Sequence, residues 1–322
     1  MNQLAGVRGM LGRWMRGDSW TLGLIVIFIV LFVFTKFLRP TYGLDALAIA
    51  SLPVAFAAAG QAIVVISGGI DLSIGSVMAL TNVIAASLLL SYPELSVPAV
   101  IAVLLIGLLI GAINGMLVVV SRVPDIVVTL SMLFVWAGAA LLVLGTPGGA
   151  STPWLREISS GTLGTELLPR ALVVLLVIVG VVWIPLRRSR LGLSMYAIGS
   201  NQLAAFRSGV SVARTKIAAY AVTGFFASLG GLALTASTGI GTPTPGPYLL
   251  LSVAAIVLGG VSLAGGRGGL LGPIVGIYIL GLIRADLTFI GMEPAFSTVI
   301  QGVIMVIVVM VGAYLTLRRR AA

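Results

Sequence analysis

Residues 67–76 read SGGIDLSIGS, and this stretch decides how the chain folds. A long apolar run precedes it (46–66) and another follows it (77–90). Asp71 is the only charged residue from the start of the first run to the end of the second. Runs of about 20 apolar residues are typical of helices that cross a bilayer. The pattern therefore predicts two membrane helices joined by a glycine-rich break that carries one carboxylate.

The composition of the whole chain indicates an integral membrane protein. Of its 322 residues, 59% are hydrophobic and 9% are charged, whereas soluble domains carry about 25% charged residues. Cysteine and histidine are absent, which excludes disulfides, thiol chemistry and histidine-based metal or acid–base sites. The net charge of +10 fits basic cytoplasmic loops. Nucleic-acid binding is not expected, because no basic patch with interleaved aromatic residues occurs.

The predicted fold class is all-α, a polytopic membrane bundle of about ten transmembrane helices. Helices satisfy every backbone amide within one segment. A β-barrel would need alternating strands, and these runs are apolar on every face. The predicted spans are 20–38, 46–66, 72–92, 98–120, 126–145, 170–186, 215–237, 249–264, 269–285 and 296–317.

The basic residues predict the orientation of the bundle. Lys and Arg are concentrated in the N-terminal segment 1–19, the loop 187–214 and the C-terminal tail 318–322. The positive-inside rule places these segments in the cytoplasm. Both termini are then cytoplasmic, the loop 146–169 is external, and 20–317 forms one transmembrane domain.

The loop 187–214 contains a short amphipathic helix by its pattern. Ser200 is a suitable N-terminal cap, the helix runs to about Arg207, and Gly209 ends it. Leu203, Phe206 and Val210 fall on one narrow apolar face. Such a helix either lies on the membrane surface or docks in the groove of a partner protein.

The glycines around Asp71 predict a helix break with a role in gating. Glycine permits breaks and close helix approach. The Asp71 carboxylate, with Ser73, is expected to cap the start of the next helix; direct contact with a substrate and a packing or gating role are the alternatives. The predicted break and gating residues are Gly68, Gly69, Asp71, Ser73 and Gly75.

A second glycine-rich stretch, GGVSLAGGRGG at 259–269, echoes the first. Its leading glycines, Gly259 and Gly260, are predicted to have the same role. Paired interrupted helices in two halves of a chain form the central path of many transporters.

Polar side chains within the spans are candidates for a substrate path. An alternative for each is hydrogen bonding or packing between helices. The candidates are Gln61, Asn82, Asn114, Trp136 and Gln301.

Five motifs together resemble the membrane permease subunits of the ribose-type ABC importers, in matching order over most of the chain. They are VVISGGIDLSIGSVMAL (64–80), GAINGMLVVVSRVPDIVVTLSML (111–133), GLSMYAIGSNQLAAFRSGV (192–210), ASTGIGTPTPGPY (236–248) and VLGGVSLAGGRGGLLGPIVG (257–276). The resemblance implies a transport subunit of the bacterial plasma membrane that is not itself an enzyme. It also implies three partners: a cytoplasmic ATPase that carries ATP and Mg, a periplasmic or lipid-anchored binding protein, and a second permease chain.

The resemblance also assigns residue roles. The segment that matches the helix coupled to the ATPase contains Ser200, Asn201, Leu203, Phe206, Arg207, Gly209 and Val210. Trp154 in the external loop is the expected anchor for the binding protein, because aromatic residues dominate interface energies. No cofactor or metal is expected in this chain.

Three positions depart from the family pattern. Relatives usually carry a Glu and an Asp where this chain has Leu249 and Leu251, Asn-Gly where it has Ala285-Asp286, and Arg-Gly where it has Trp136-Ala137. The departures leave the substrate open, with a sugar, a nucleoside or another solute as candidates. They also leave open whether the second permease chain is identical. An ion-coupled secondary transporter is the rival class, and it would need buried titratable groups.

Overall fold

The structure is a computed structural model that describes residues 19–293 and scattered positions beyond them (295–297, 299–300, 302–304, 306–307 and 310). The segment 1–18, the C-terminal tail and Gln301 lie outside the described residues, as does most of the tenth predicted span.

Long helices dominate the described chain and confirm the all-α membrane bundle. Eight of the described helices are long and apolar enough to cross a membrane. The helices are α1 (Ser19–Leu38), α2 (Leu44–Ile66), α3 (Ile74–Ser91), α4 (Ser96–Ser121), α5 (Asp125–Val143), α6 (Pro153–Ser159), α7 (Arg170–Arg188), α8 (Arg190–Ser200), α9 (Gln202–Arg207), α10 (Val212–Thr238), α11 (Tyr248–Leu258) and α12 (Leu271–Phe289). A 3-10 turn (Pro93–Leu95) precedes α4, and a small antiparallel pair, β1 (Thr162–Leu163) and β2 (Thr165–Pro169), precedes α7.

Two predicted boundaries are corrected. The eighth span, predicted as 249–264, is helical only over Tyr248–Leu258. Gly260 adopts a left-handed φ of 80°, and the backbone of Gly259 packs so tightly on the Gly272–Pro273 segment that a Cβ would collide with it. The loop 187–214 is almost entirely helical, because α7 continues to Arg188 and α8 follows directly.

The core is centred on α2, which is buried along most of its length and packs against α7, α10, α11 and α12. By contrast, α1 and α5 expose most of their apolar side chains. In a membrane protein this pattern assigns the outer helices to lipid or to another membrane subunit. We call the end that carries α8 and α9 the basic end of the bundle, after the arginines of 187–214.

Glycines at every fourth position let α4 and α10 cross in close contact. A Cβ on Gly111 would collide with the Tyr220 carbonyl of α10, and one on Gly115 would lie 2.8 Å from the Ile217 Cα. From the other side, a Cβ on Gly224 would lie 2.8 Å from the Gly111 Cα. Small residues with this spacing permit the close backbone approach that stabilises helix pairs in membranes.

Substitution of Gly111 with valine is therefore expected to destabilise the bundle. Overpacking of a tight contact costs about 1–3 kcal/mol, so Gly111→Val should lower the unfolding temperature in detergent by several degrees. Gly138→Val on α5 is the matched control, because Gly138 has open space around it. Equal unfolding temperatures for the two variants would contradict the crossing. A fluorescence-detected melt of the purified variants measures both.

Candidate functional site

The first break joins α2 to α3 at the basic end and buries the Asp71 carboxylate. Gly68 turns the chain with a left-handed φ of 79°. Asp71 is 2% exposed, and its Oδ1 accepts hydrogen bonds from the Ser73 backbone N–H (2.8 Å) and the Ser73 hydroxyl (2.6 Å). Ser73 is the N-cap of α3. The carboxylate therefore orders the N-cap residue itself, rather than the amides of the first helical turn.

A chain of buried polar side chains extends from this carboxylate across two helices. The Asn114 Nδ2 donates to the Ser73 Oγ at 2.8 Å, and the Trp136 indole N–H donates to the Asn114 Oδ1 at 3.1 Å. The links tie the start of α3 to the middle of α4 and α5. Trp136 ends this chain of hydrogen bonds.

An ion pair between α5 and α10 lies next to the first break. The Lys216 Nζ of α10 lies 3.0 Å from the Asp125 Oδ1 of α5. The Tyr220 hydroxyl lies 3.0 Å from the other Asp125 oxygen and 3.2 Å from the Ile70 carbonyl. A Cβ on Gly69 would lie 2.8 Å from that Asp125 oxygen and 2.9 Å from the Tyr220 hydroxyl, so glycine leaves room for these two side chains.

Thr129 of α5 completes the support. Its hydroxyl accepts from the Leu72 N–H at 3.1 Å and lies 3.1 Å from the Ile70 carbonyl. Sequence reasoning missed this set of α5 and α10 residues. Asp125 is 91 positions from Lys216 and 95 from Tyr220, and the only available signal was the charge at two span ends.

The second break, residues 259–270 between α11 and α12, is held by hydrogen bonds from α1, α8 and α2. The Trp20 indole N–H of α1 donates to the Leu258 carbonyl at 2.7 Å. The Tyr196 hydroxyl of α8 donates to the Gly268 carbonyl at 2.7 Å. The Gly266 N–H donates to the Ile66 carbonyl of α2 at 2.9 Å. Four of its glycines adopt left-handed φ values: Gly260, Gly265, Gly266 and Gly268.

Tyr196 is well suited to its role as a donor. Burial raises the pKa of the Tyr196 phenol above its usual value, although the charge of Arg187 opposes this effect. A tyrosine phenol is protonated at neutral pH even at its ordinary pKa of about 10, so Tyr196 donates to the Gly268 carbonyl there. Its ring also packs near the Trp183 ring of α7, with 6.4 Å between the centroids.

The predicted path residues occupy different environments. Asn82 is buried and fastens the segment after α10, because it donates to the Thr235 hydroxyl (2.8 Å) and accepts from the Thr242 N–H (2.7 Å). Gln61 is fully buried in α2, and neither atom of its amide has a partner among the described residues. Gly75 lies in the first turn of α3 and faces Leu249 at ordinary contact distance.

The short helix α9 projects an apolar face from the basic end. Asn201, not Ser200, is its N-cap: the Asn201 Oδ1 accepts from the Ala204 N–H at 2.9 Å, whereas Ser200 is the last residue of α8. Gly209 ends the helix as expected. Its N–H donates to the Phe206 carbonyl and that of Val210 to the Ala205 carbonyl, both at 3.0 Å, which is the Schellman pattern.

Two apolar side chains of α9 are exposed, and one of them, Phe206, borders a cavity. Leu203 is 59% exposed and Phe206 is 65% exposed. Beside Phe206 lies a cavity of about 550 Å³, which Arg122 and Lys216 also line. A helix with both ends fixed and its largest apolar side chain in solvent can bind a groove with little ordering of its own.

At the opposite end of the bundle, the loop 146–169 folds back onto the helices. Trp154 is half-buried, and its indole N–H donates to the Ser96 hydroxyl at 3.0 Å. The Ala150 N–H donates to the Ala86 carbonyl at 3.0 Å. The loop is therefore packed against the ends of the helices and held there by hydrogen bonds.

Comparison with known proteins places this architecture in a family. A family model described as "Branched-chain amino acid transport system / permease component" matches residues 43–309. The ribose import permease protein of Escherichia coli K12 is 33% identical over 261 residues, which cover 80% of this chain and 81% of that protein.

Two further relatives agree. The ribose import permease protein of Bacillus subtilis strain 168 is 32% identical over 300 residues, 90% of each chain. The fructose import permease protein of Rhizobium meliloti is 31% identical over 274 residues, 81% of this chain and 75% of that protein. No solved structure matches the chain significantly. The chain belongs to the family of bacterial ABC importer permeases that contains these sugar permeases, and it is a multi-pass protein of the inner membrane.

Proposed function

We propose that this permease subunit forms the translocation path for a sugar or sugar-like molecule and couples to a separate ATPase through α9. The observation that carries the proposal is α9 itself. It is capped at both ends, follows α8 without a flexible linker, and exposes Phe206 beside a cavity. A lipid-surface role is less favoured, because the α9 face is narrow and the helix has only six residues.

The orientation follows from the same proposal. The basic end, with 187–214, faces the cytoplasm, and the external loop faces the binding protein. ATP and Mg belong to the ATPase partner. Trp154 contributes to binding-protein docking mainly by holding the loop in shape, since its indole N–H is already engaged by Ser96.

Sugars are the favoured substrates because the relatives are named for ribose and fructose import. A nucleoside or another non-sugar solute is the alternative. The Gln61 amide is buried and has no partner among the described residues, and an amide can both donate to and accept from a hydroxyl. A buried polar group without a hydrogen bond costs about 1–3 kcal/mol, so Gln61 is a candidate to bind a hydroxyl of the substrate.

Co-purification with the native partners tests the function. The chain is isolated from its own membrane, and mass spectrometry identifies what accompanies it. We expect an ABC ATPase, a binding protein and one or two kinds of permease chain. The binding protein is then screened against pentoses, hexoses, nucleosides and branched-chain amino acids, and uptake is measured in liposomes. Uptake that proceeds without ATP would instead indicate an ion-coupled transporter.

A further inference from the structure

The two helix breaks are joined by one backbone hydrogen bond. The carbonyl of Ile66, the last residue of α2, has no donor within its own helix because the chain turns away at Gly68. The Gly266 N–H of the second break donates to this carbonyl at 2.9 Å. Ile66 and Gly266 are 200 positions apart in sequence, yet a displacement of either break acts directly on the other.

The end of α8 lies against this bond. A Cβ on Gly199 would collide with the Ile66 carbonyl oxygen and lie 2.6 Å from the Gly266 N. A Cβ on Gly265 would lie 2.8 Å from the Gly199 carbonyl oxygen and 3.0 Å from the Gly68 Cα. The contacts are backbone against backbone, a proximity that only glycine allows.

α8 also holds the far side of the second break. Tyr196 precedes Gly199 by three residues and so lies on the same face of the helix. Its hydroxyl donates to the Gly268 carbonyl at 2.7 Å. After Ser200, only Asn201 separates α8 from α9. No flexible linker therefore separates the two helices, and a movement of α9 is passed on to α8.

We propose that Gly199 and Tyr196 are positioning residues of a junction through which movement of α9 reaches both helix breaks at once. This inference rests on the proposed function, in which α9 docks on the ATPase. Flexible side chains absorb small displacements by changing rotamer. The glycines at this junction have no side chains, so their backbones cannot absorb a displacement in this way. A shift of α8 must displace Ile66 and Gly266 together, and with them the end of α2 and the second break.

The test uses the full complex of the chain with its ATPase and binding protein in liposomes. The chain contains no cysteine, so Leu263→Cys introduces a single reporter in the second break, at a position that is 46% exposed. In the otherwise unmodified chain, the rate of maleimide labelling at 263 should change at least threefold between the nucleotide-free and ATP-bound complexes.

Gly199→Ala should abolish this nucleotide dependence and lower uptake at least tenfold, while the ATPase binds as tightly as before. Gly269→Ala is the matched control: it lies in the same break but has nothing within 4 Å of the added Cβ, so it should behave as the unmodified chain. Tyr196→Phe removes one hydroxyl and keeps the ring packing. It should weaken the labelling response and uptake about threefold, and it keeps the test decisive if Gly199→Ala fails to fold.

A normal labelling response in Tyr196→Phe, or in folded Gly199→Ala, would overturn the junction. Failure of the unmodified chain to bind any ATPase would overturn the proposed function instead. The two failures are distinguished by the ATPase pull-down that precedes the labelling.

Discussion

Phe206→Ala is expected to uncouple the transporter while the chain remains folded and inserted. Phe206 is the largest apolar side chain on the exposed face of α9, and it is 65% exposed in the isolated chain. Burial of a phenylalanine contributes about 1.5–3 kcal/mol, so its loss should weaken association with the ATPase about tenfold to a hundredfold. ATP hydrolysis should no longer respond to loaded binding protein, and uptake should stop.

The measurement is a detergent pull-down of the ATPase, followed by stimulated ATPase activity and uptake in liposomes. Phe34→Ala is the matched control, because Phe34 is half exposed on α1 and belongs neither to α9 nor to the loop 187–214. Arg207 should matter less, since charges at an interface rim mainly set orientation and on-rate. Full-strength ATPase binding by Phe206→Ala would favour the membrane-surface role for α9.

Asp71→Leu is expected to abolish most uptake, whereas Asp71→Asn should retain much of it. The Asp71 Oδ1 accepts both Ser73 donors, and an asparagine Oδ1 can accept the same two bonds. Leucine leaves both donors without their acceptor in a buried site, at a cost of about 1–3 kcal/mol for each unsatisfied group. The loss also disturbs the link from Ser73 to Asn114 and Trp136.

The comparison between the two variants decides whether the hydrogen-bond acceptor or the negative charge of Asp71 is needed for uptake. Asparagine removes the charge and keeps the acceptor, and no basic side chain among the described residues pairs with Asp71. Uptake by Asp71→Asn as low as that by Asp71→Leu would show that the negative charge itself is needed, as in an ion-coupled or substrate-contacting role. Uptake of radiolabelled sugar at matched expression separates these outcomes.

The long helices could be read from hydropathy because a span leaves a continuous apolar run of fixed length. The predicted start of α7 at 170 and the end of α2 at 66 agree with the structure to the residue. The early end of α11 could not be read, because it depends on packing of Gly259 against the Gly272–Pro273 backbone. Packing between segments that are distant in sequence leaves no periodic trace.

The glycines of the candidate site could be predicted from the sequence, but the side chains that contact them could be predicted less well. The pattern located the break around Asp71 and the helix that ends at Gly209. It did not identify Asn201 as the cap, because both Ser200 and Asn201 favour that position, and only the geometry of α8 chooses between them. It also gave no sign of Lys216 and Asp125 as a pair, since each alone resembles an ordinary charge at a span end.

The bond between Trp20 and the Leu258 carbonyl has a consequence for how the protein is made. The two residues are 238 positions apart, and α1 makes its main helix contact with α12, which is synthesised later still. At about 5–20 residues per second, α1 leaves the ribosome roughly 10–50 s before its partners exist. The packing of α1 can therefore be completed only near the end of synthesis, when α11 and α12 are present.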